Sequence, residues 1–341
     1  MEHKLMYPIL LIKNSFKKTF SGMGRILKKS RDTVERLLLS HEENTFQMLL
    51  NAQISFKDST LLYLVFDDTL IRKIYAKMMT GSWFYYDTKA GRCVNSFKLL
   101  VAMISDGRMH FPIACSFLLP KELIDQENQT KDWLVKSIIL DVIKIFPGKK
   151  IRVTFDGAFA SKSIIGWACE NNISIECRFH SNRIIYYDNQ RSAVSEIKKL
   201  VPKGRQKSRT IKATWHSFNV FITAHRRIDK HENETIIYQL STYKARPNQH
   251  VQTYKKRWHI EEFFRSTKQK LGLNDCQSIS GITQLNHMSS VLLAYSMVQI
   301  EKKRLKIKTL EETIRRLQTH NITNLKQRFL PADDIFGVYH A

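Results

Sequence analysis

Leu61-Leu62-Tyr63-Leu64-Val65-Phe66 runs without a break into Asp67-Asp68-Thr69. An uninterrupted apolar run of this length predicts a strand buried on both faces. A second run, Ile151–Phe155, also ends in a carboxylate, Asp156, followed by Gly157. A carboxylate leaving an apolar run is costly unless charge or hydrogen bonds compensate it. Either acid alone reads as a solvated strand end or a helix cap. Two together read differently, because adjacent parallel strands bring their C-terminal ends to one edge, where ligands usually bind. Carboxylates there suit divalent cations of the Mg²⁺ type, which prefer hard oxygen ligands.

Outward from these runs the pattern is mixed α/β. Phe97–Ser105 and Met109–Leu118 read as strands joined by the Asp106-Gly107 turn. Thr130–Phe146 reads as an amphipathic helix stopped by Pro147-Gly148, with a helix at Ser161–Glu170 and a strand at Ile173–Phe179 to follow. Residues 202–253 look β-rich, with Phe218–Thr223 and Thr235–Ser241 as strands. A long helix from about Gln252 to Leu271 closes on Gly272, and a further helical stretch covers Leu285–Gln318. Residues 13–50 read as helical. Within them Met23–Leu39 has the form of a helix–turn–helix: Ser30 is the N-cap, and Arg31 and Thr33 lie in the first turn of a recognition helix. An ordinary amphipathic helical hairpin has the same signature.

Charge sharpens this. The chain has 341 residues and 55 Lys and Arg against 31 Asp and Glu, a formal net charge of +24. Residues 191–316 carry +16 of it, with 26 basic residues against 10 acidic. So basic a chain points to nucleic acid. The composition excludes a disordered tail, a collagen-like chain and a disulfide scaffold, and no run approaches the roughly 18–20 apolar residues of a membrane span. The short Met6–Ile12 patch contains Pro8 and precedes no small-residue cleavage site, which argues against a secretory signal. Cys93, Cys115, Cys169, Cys177 and Cys276 are scattered and fit free thiols in a reducing cytoplasm.

On the long helix, steps of about 100° per residue place Tyr254, Arg257, Glu261, Arg265 and Lys268 in one stripe about 80° wide, beside Ile260, Phe264 and Leu271. The spacing also fits a solvated ion-pair ladder worth about 0.2–0.5 kcal/mol per pair. One acid among several phosphate-binding groups, preceded by two strand-end acids, is what phosphodiester chemistry requires.

Tyr254, Arg257, Glu261 and Lys268 match the Y-(2)-R-(3)-E-(6)-K motif. With Phe66–Thr69, Val153–Gly157 and the Lys-Gln-Lys-Leu-Gly-Leu ending at Leu273, the chain resembles bacterial insertion-sequence transposases of the DDE type, in the insertion-sequence-4-like group, over about residues 60–300. The resemblance implies an RNase H-like catalytic core with a β-rich insertion, flanked by a short helical N-terminal region and C-terminal helices. The divisions would be 1–58 (helical, carrying the helix–turn–helix pattern), 59–200 (first part of the core), 201–252 (basic insertion), 253–320 (core helix and C-terminal helices) and 321–341 (tail). It implies a triad of Asp67, Asp156 and Glu261 holding two Mg²⁺ or Mn²⁺ ions. Asp68 is the alternate to Asp67, and family members commonly read Asp-x-Thr, which favours Asp67. Because strand neighbours face opposite ways, only one of the two can face the metals.

Tyr254, Arg257 and Lys268 would contact phosphates, joined by Arg265 from the stripe and by Arg31 and Thr33 from the N-terminal region. Trp215 is the candidate to hold a flipped base, with a core role as the other reading. Transposon terminal inverted repeats and target DNA are the implied partners. A homodimer in the DNA complex and a cytoplasmic, nucleoid-associated location are also implied. Two other classes remain: a helix–turn–helix regulator without catalysis, and an RNase H-fold nuclease that cuts without joining.

Overall fold

The computed structural model describes residues 5–74, 76, 79–228 and 232–329. In chain order the helices are α1 (Met6–Lys13), α2 (Phe20–Leu27), α3 (Arg31–Glu35), α4 (His41–Ser55), α5 (Lys131–Ile145), α6 (Lys162–Glu170), α7 (Pro247–Lys255), α8 (Trp258–Ser266), α9 (Gly281–Arg304), α10 (Leu310–Thr319) and α11 (Ile322–Phe329). The strands are β1 (Leu61–Arg72), β2 (Trp83–Asp87), β3 (Arg92–Ser105), β4 (His110–Phe117), β5 (Lys150–Phe155), β6 (Ser174–Phe179), β7 (Ile184–Tyr187), β8 (Gln190–Ala193), β9 (Ser208–Trp215), β10 (Phe218–Ile228) and β11 (Glu234–Ser241). Local chemistry fixes several boundaries. Thr130 and Ser161 accept the N–H groups of Trp133 and Ile164 and so start α5 and α6. Ser40 and Glu43 form a reciprocal capping box at α4.

The strands form one mixed sheet ordered β2-β3-β1-β5-β6-β11-β10-β9-β7-β8, with β4 on β3. β1 runs antiparallel to β3 and parallel to β5, which is parallel to β6. Side-chain alternation along β1 divides the core. Leu62, Leu64 and Phe66 pack with Val135 and Ile139 of α5 and Ile164 of α6. Val65 and Ile71 pack with Ile260 and Phe263 of α8 and with α9.

Several expectations need correcting. β1 does not end at Phe66: β3 stays paired with it through Arg72↔Ser96, whereas β5 stops at Phe155. The two acids therefore stand within a strand that has lost one neighbour. β2, unread in the sequence, adds an antiparallel strand at the sheet edge. The β-rich segment begins at Ile184 rather than residue 201, and β11 joins it to β6 in the same sheet. The long helix is two, α7 and α8, broken at Lys256-Arg257, where backbone bonds tighten to three-residue spacing. The recognition helix expected over Arg31–Leu39 is the five-residue α3 with Val34 buried. At 1.5 Å per residue it spans only about 7.5 Å. The tail from residue 321 opens with α11; residues 330–341 lie outside the described residues.

The N-terminus of α9 meets the segment before β2 closely. A Cβ on Gly281 would lie 2.5 Å from the Thr80 carbonyl oxygen, a backbone atom that cannot swing away. Gly281→Ala is therefore expected to cost about 1–3 kcal/mol, read as a lower urea midpoint at unchanged slope.

Candidate active site

The parallel register pairs Phe66 with Phe155, so the next residues, Asp67 and Asp156, lie side by side at the carboxyl end of β5. The alternation that puts Phe66 in the α5 layer turns Asp67 toward α8 and Asp68 away from it. Lys98 Nζ lies 3.3 Å from Asp68 Oδ2 on that other side. Asp67 accepts the Asp68 N–H at 2.9 Å, and Asp156 accepts the Gly157 N–H at 2.7 Å, which starts the turn Gly157–Phe159.

Arg257, at the α7–α8 break, joins the acids. Its Nη1 donates to Asp67 Oδ2 at 3.1 Å and its Nη2 to Glu261 Oε1. The guanidinium also lies 5.9 Å from the Tyr254 ring centroid. Burial raises the Asp67 carboxyl to about 6; Arg257 and the Asp68 N–H oppose the rise, and the Asp68 and Asp156 charges add to it. Burial likewise pushes the Tyr254 hydroxyl up to about 12, so it remains a proton donor at neutral pH.

α8 ends in a widened π-helical turn, Thr267–Leu271, closed by Gly272 in the left-handed region at φ 76°. That turn brings Lys268 to the open edge of β1, where Nζ donates to Thr69 Oγ1 at 2.6 Å and to the Leu70 carbonyl at 3.2 Å. Of the sequence stripe, Tyr254, Arg257 and Glu261 lie in contact, whereas Lys268 stands apart at the edge of β1. Arg265 is exposed, and among the described residues no hydrogen bond or ion pair holds it. Arg31 and Thr33 sit on α3, where the Thr33 hydroxyl meets the Ser30 cap at 2.9 Å. Trp215 is 2% exposed and packs edge-on against Phe179 with centroids 5.5 Å apart. It is a core residue, too enclosed to receive a base.

Beneath α7 lies a buried polar cluster that sequence reading passed over. His250 Nδ1 and Glu176 Oε2 are 2.7 Å apart, both fully buried. The Tyr243 hydroxyl donates to Glu176 at 3.3 Å, and Arg152 Nη1 donates to Thr253 Oγ1 at 3.1 Å. Burial pushes Glu176 upward and the His250 contact opposes it. Glu176 pairs in register with Thr154, two residues before Asp156, so the cluster ties α7 to the strand that ends at the site. An acid inside the strand run Ile175-Glu176-Cys177 was the available signal.

Among the described residues no three His, Cys, Asp or Glu side chains are gathered closely enough to hold a metal ion. Nor is any helix of the described residues long and apolar enough to cross a membrane.

A family model described as "Transposase DDE domain" matches residues 58–297. No curated protein matches. The solved structure titled "Crystal structure of the Mos1 Strand Transfer Complex" aligns at 10% identity over 46% of this chain and 52% of that one, with a TM-score of 0.19, too low to bear on the fold. The chain spans about half the length of that protein.

Proposed function

Since the chain belongs to the transposase DDE domain family, we propose that it is a DNA transposase that binds insertion-sequence ends, cuts them with divalent metal ions and joins the freed 3′-hydroxyl to target DNA. The observation that carries this reading is the adjacency of Asp67 and Asp156 on parallel strands, with Arg257 tying Asp67 to Glu261. On this reading β1 and β3–β6 with α5 and α6 form an RNase H-like core, and the protein belongs to the insertion-sequence-4-like group. It acts as a homodimer on the terminal repeats and target DNA, in the bacterial nucleoid.

The donor set suits Mg²⁺ or Mn²⁺. Asp67, Asp156 and Glu261 offer hard oxygens, the Asp67 charge is under-compensated in its buried place, and Asp67 and Glu261 already share one cation, the guanidinium. When bound, two such ions supply an activated water or 3′-hydroxyl and stabilise the leaving oxygen. The remaining work belongs to this chain. Arg257 bridges Asp67 and Glu261 and offsets part of their charge in the free protein, and moving its guanidinium onto a phosphate oxygen frees both carboxylates for cations. The Tyr254 hydroxyl donates to a phosphate oxygen. Lys268, held at the edge of β1 by neutral acceptors, keeps its charge for the DNA backbone. Arg265, exposed on α8, adds a second backbone contact.

The test uses duplex DNA carrying the inverted repeats that bracket the gene. With Mn²⁺, nicked and strand-transfer products are expected on a sequencing gel, and EDTA should remove both. Cutting without any joined product would leave an RNase H-fold nuclease. Metal-independent footprints without cutting would leave a DNA-binding regulator. Binding itself should weaken steeply as salt rises, because +16 of the +24 charge lies between residues 191 and 316.

A further inference from the structure

The outer face of β2 carries chemistry that the carboxylates do not use. β2 is the edge strand, and alternation turns Trp83, Tyr85 and Asp87 one way and Phe84 and Tyr86 the other. The first set is anchored: the Tyr85 hydroxyl donates to the Leu118 carbonyl at 2.8 Å, and Asp87 is held by Arg72, whose Nη2 donates to Oδ1 at 2.8 Å. The second set stands in water, Phe84 56% and Tyr86 64% exposed. Tyr86 borders a cavity of about 410 Å³ whose lining also includes Asp68, Thr69, Arg72, Lys89 and Lys268. It therefore opens one residue from Asp67.

The charge of that cavity is positive in effect. Asp87 is taken up by Arg72 and by the N–H groups of Lys89 and Ala90, and Asp68 faces Lys98. Lys268 is held only by neutral acceptors, and among the described residues the Lys89 ammonium has no partner. Burial, then the Lys89 and Arg72 charges, pull Lys268 down to about 8, and the Asp87 charge opposes them. Ring faces beside unneutralised cations are the chemistry that takes unpaired nucleotides, because bases stack on the rings while phosphates sit against the charges. A paired duplex keeps its base faces covered and cannot use such a surface.

We propose that Phe84 and Tyr86, with Lys89 and Lys268, form a site for unpaired DNA nucleotides that continue from the phosphate to be cut. The site rests on the transposase reading and adds to it a strand-opening step: DNA is melted beside the carboxylates and its loose strand is held on β2.

The test compares two duplexes bearing the inverted repeat, one blunt and one with a short single-stranded extension containing 2-aminopurine, in EDTA so that nothing is cut. The wild type is expected to bind the extended DNA more tightly and to quench the fluorophore. The Phe84→Ala/Tyr86→Ala protein should bind extended DNA about 5- to 100-fold more weakly, with blunt-duplex affinity unchanged as the control for folding. Tyr86→Phe should keep the preference. Lys89→Ala should reduce it and flatten its salt dependence. An unchanged preference in the double variant overturns the β2 site alone. Failure of the wild type to bind either DNA overturns the transposase reading and the β2 site with it.

Discussion

Asp67→Asn is expected to lose metal-dependent cleavage by about 10³-fold or more and, in chelator, to unfold later than the wild type at pH 8. The first effect follows from the proposed role: withdrawing a ligand from ions that supply several kcal/mol of transition-state stabilisation costs about one decade per 1.36 kcal/mol. The second comes from burial. The Asp67 carboxyl is raised from 3.8 to about 6 in the fold. A carboxyl so raised contributes stability that is fully present below the unfolded value and is lost as pH rises through about 6. The ionised group is thus a burden at pH 8. Taken in full, that rise would amount to about 3 kcal/mol. The side chain is 21% exposed and Arg257 stays paired with Glu261, so about 1–2 kcal/mol is the expected gain. The advantage should shrink as pH falls through 6 and vanish by about pH 3, where the wild-type carboxyl is protonated folded or unfolded. Asp156→Ala should lose cleavage in the same way while still binding DNA. Asp68→Asn, on the opposite face with Lys98, should cut normally. An Asp67→Asn protein that cuts within tenfold of wild type, or is less stable at pH 8, would sink the assignment.

That a functional carboxylate should burden the fold also explains what the sequence could reveal. Hydrophobic period and terminal capping residues report burial and local hydrogen bonding, and the elements that depend on these were legible. α5 and α6 fall within a residue of the predicted spans. β4 and β5 lie within a residue of their apolar runs, and β1 and β3 contain theirs but run on to Arg72 and back to Arg92. The contact of Arg257 with Glu261 was legible because i, i+4 spacing brings them together, whereas Lys268 reaches the edge of β1 through a π-helical turn that the spacing did not announce. Three further things were not legible. The length of β1 beyond Phe66 depends on β3, a partner distant in sequence. The break between α7 and α8 carries neither Pro nor Gly, so no local residue announces it. α3 stops after five residues although Arg36–Leu39 continue a helical pattern, and Val34 and Leu39 are drawn into the core instead. Trp215 follows the core reading of its sequence, packed edge-on against Phe179.

Glu176→Ala is expected to destabilise the protein by about 3–5 kcal/mol, the largest stability loss foreseen for a single substitution outside the carboxylate site. Removing one partner of a buried pair leaves the other without compensation, and that uncompensated group, rather than the lost attraction, sets the size of the loss. His250 would be left fully buried beneath α7 with its Nδ1 unmatched, and the Tyr243 hydroxyl would lose one of its two acceptors, keeping Thr253. His250→Ala should cost a comparable amount. The Glu176→Ala/His250→Ala double variant should cost clearly less than the sum, because the second removal strands nothing. Replacing both with leucine should recover most of the loss, since an apolar pair of similar volume needs no compensation. Urea unfolding of the four proteins measures this. Additive losses would show that the two residues act separately. Coupled losses with weakened cleavage in Glu176→Gln, at temperatures where that variant stays folded and binds DNA, would give the pair a second role. The cluster ties α7 to β5 and β6, and Tyr254 and Arg257 lie at the end of α7, so a slackened cluster would move the phosphate-binding groups relative to Asp67 and Asp156. A pair that served stability alone would leave cleavage by the folded Glu176→Gln protein unchanged.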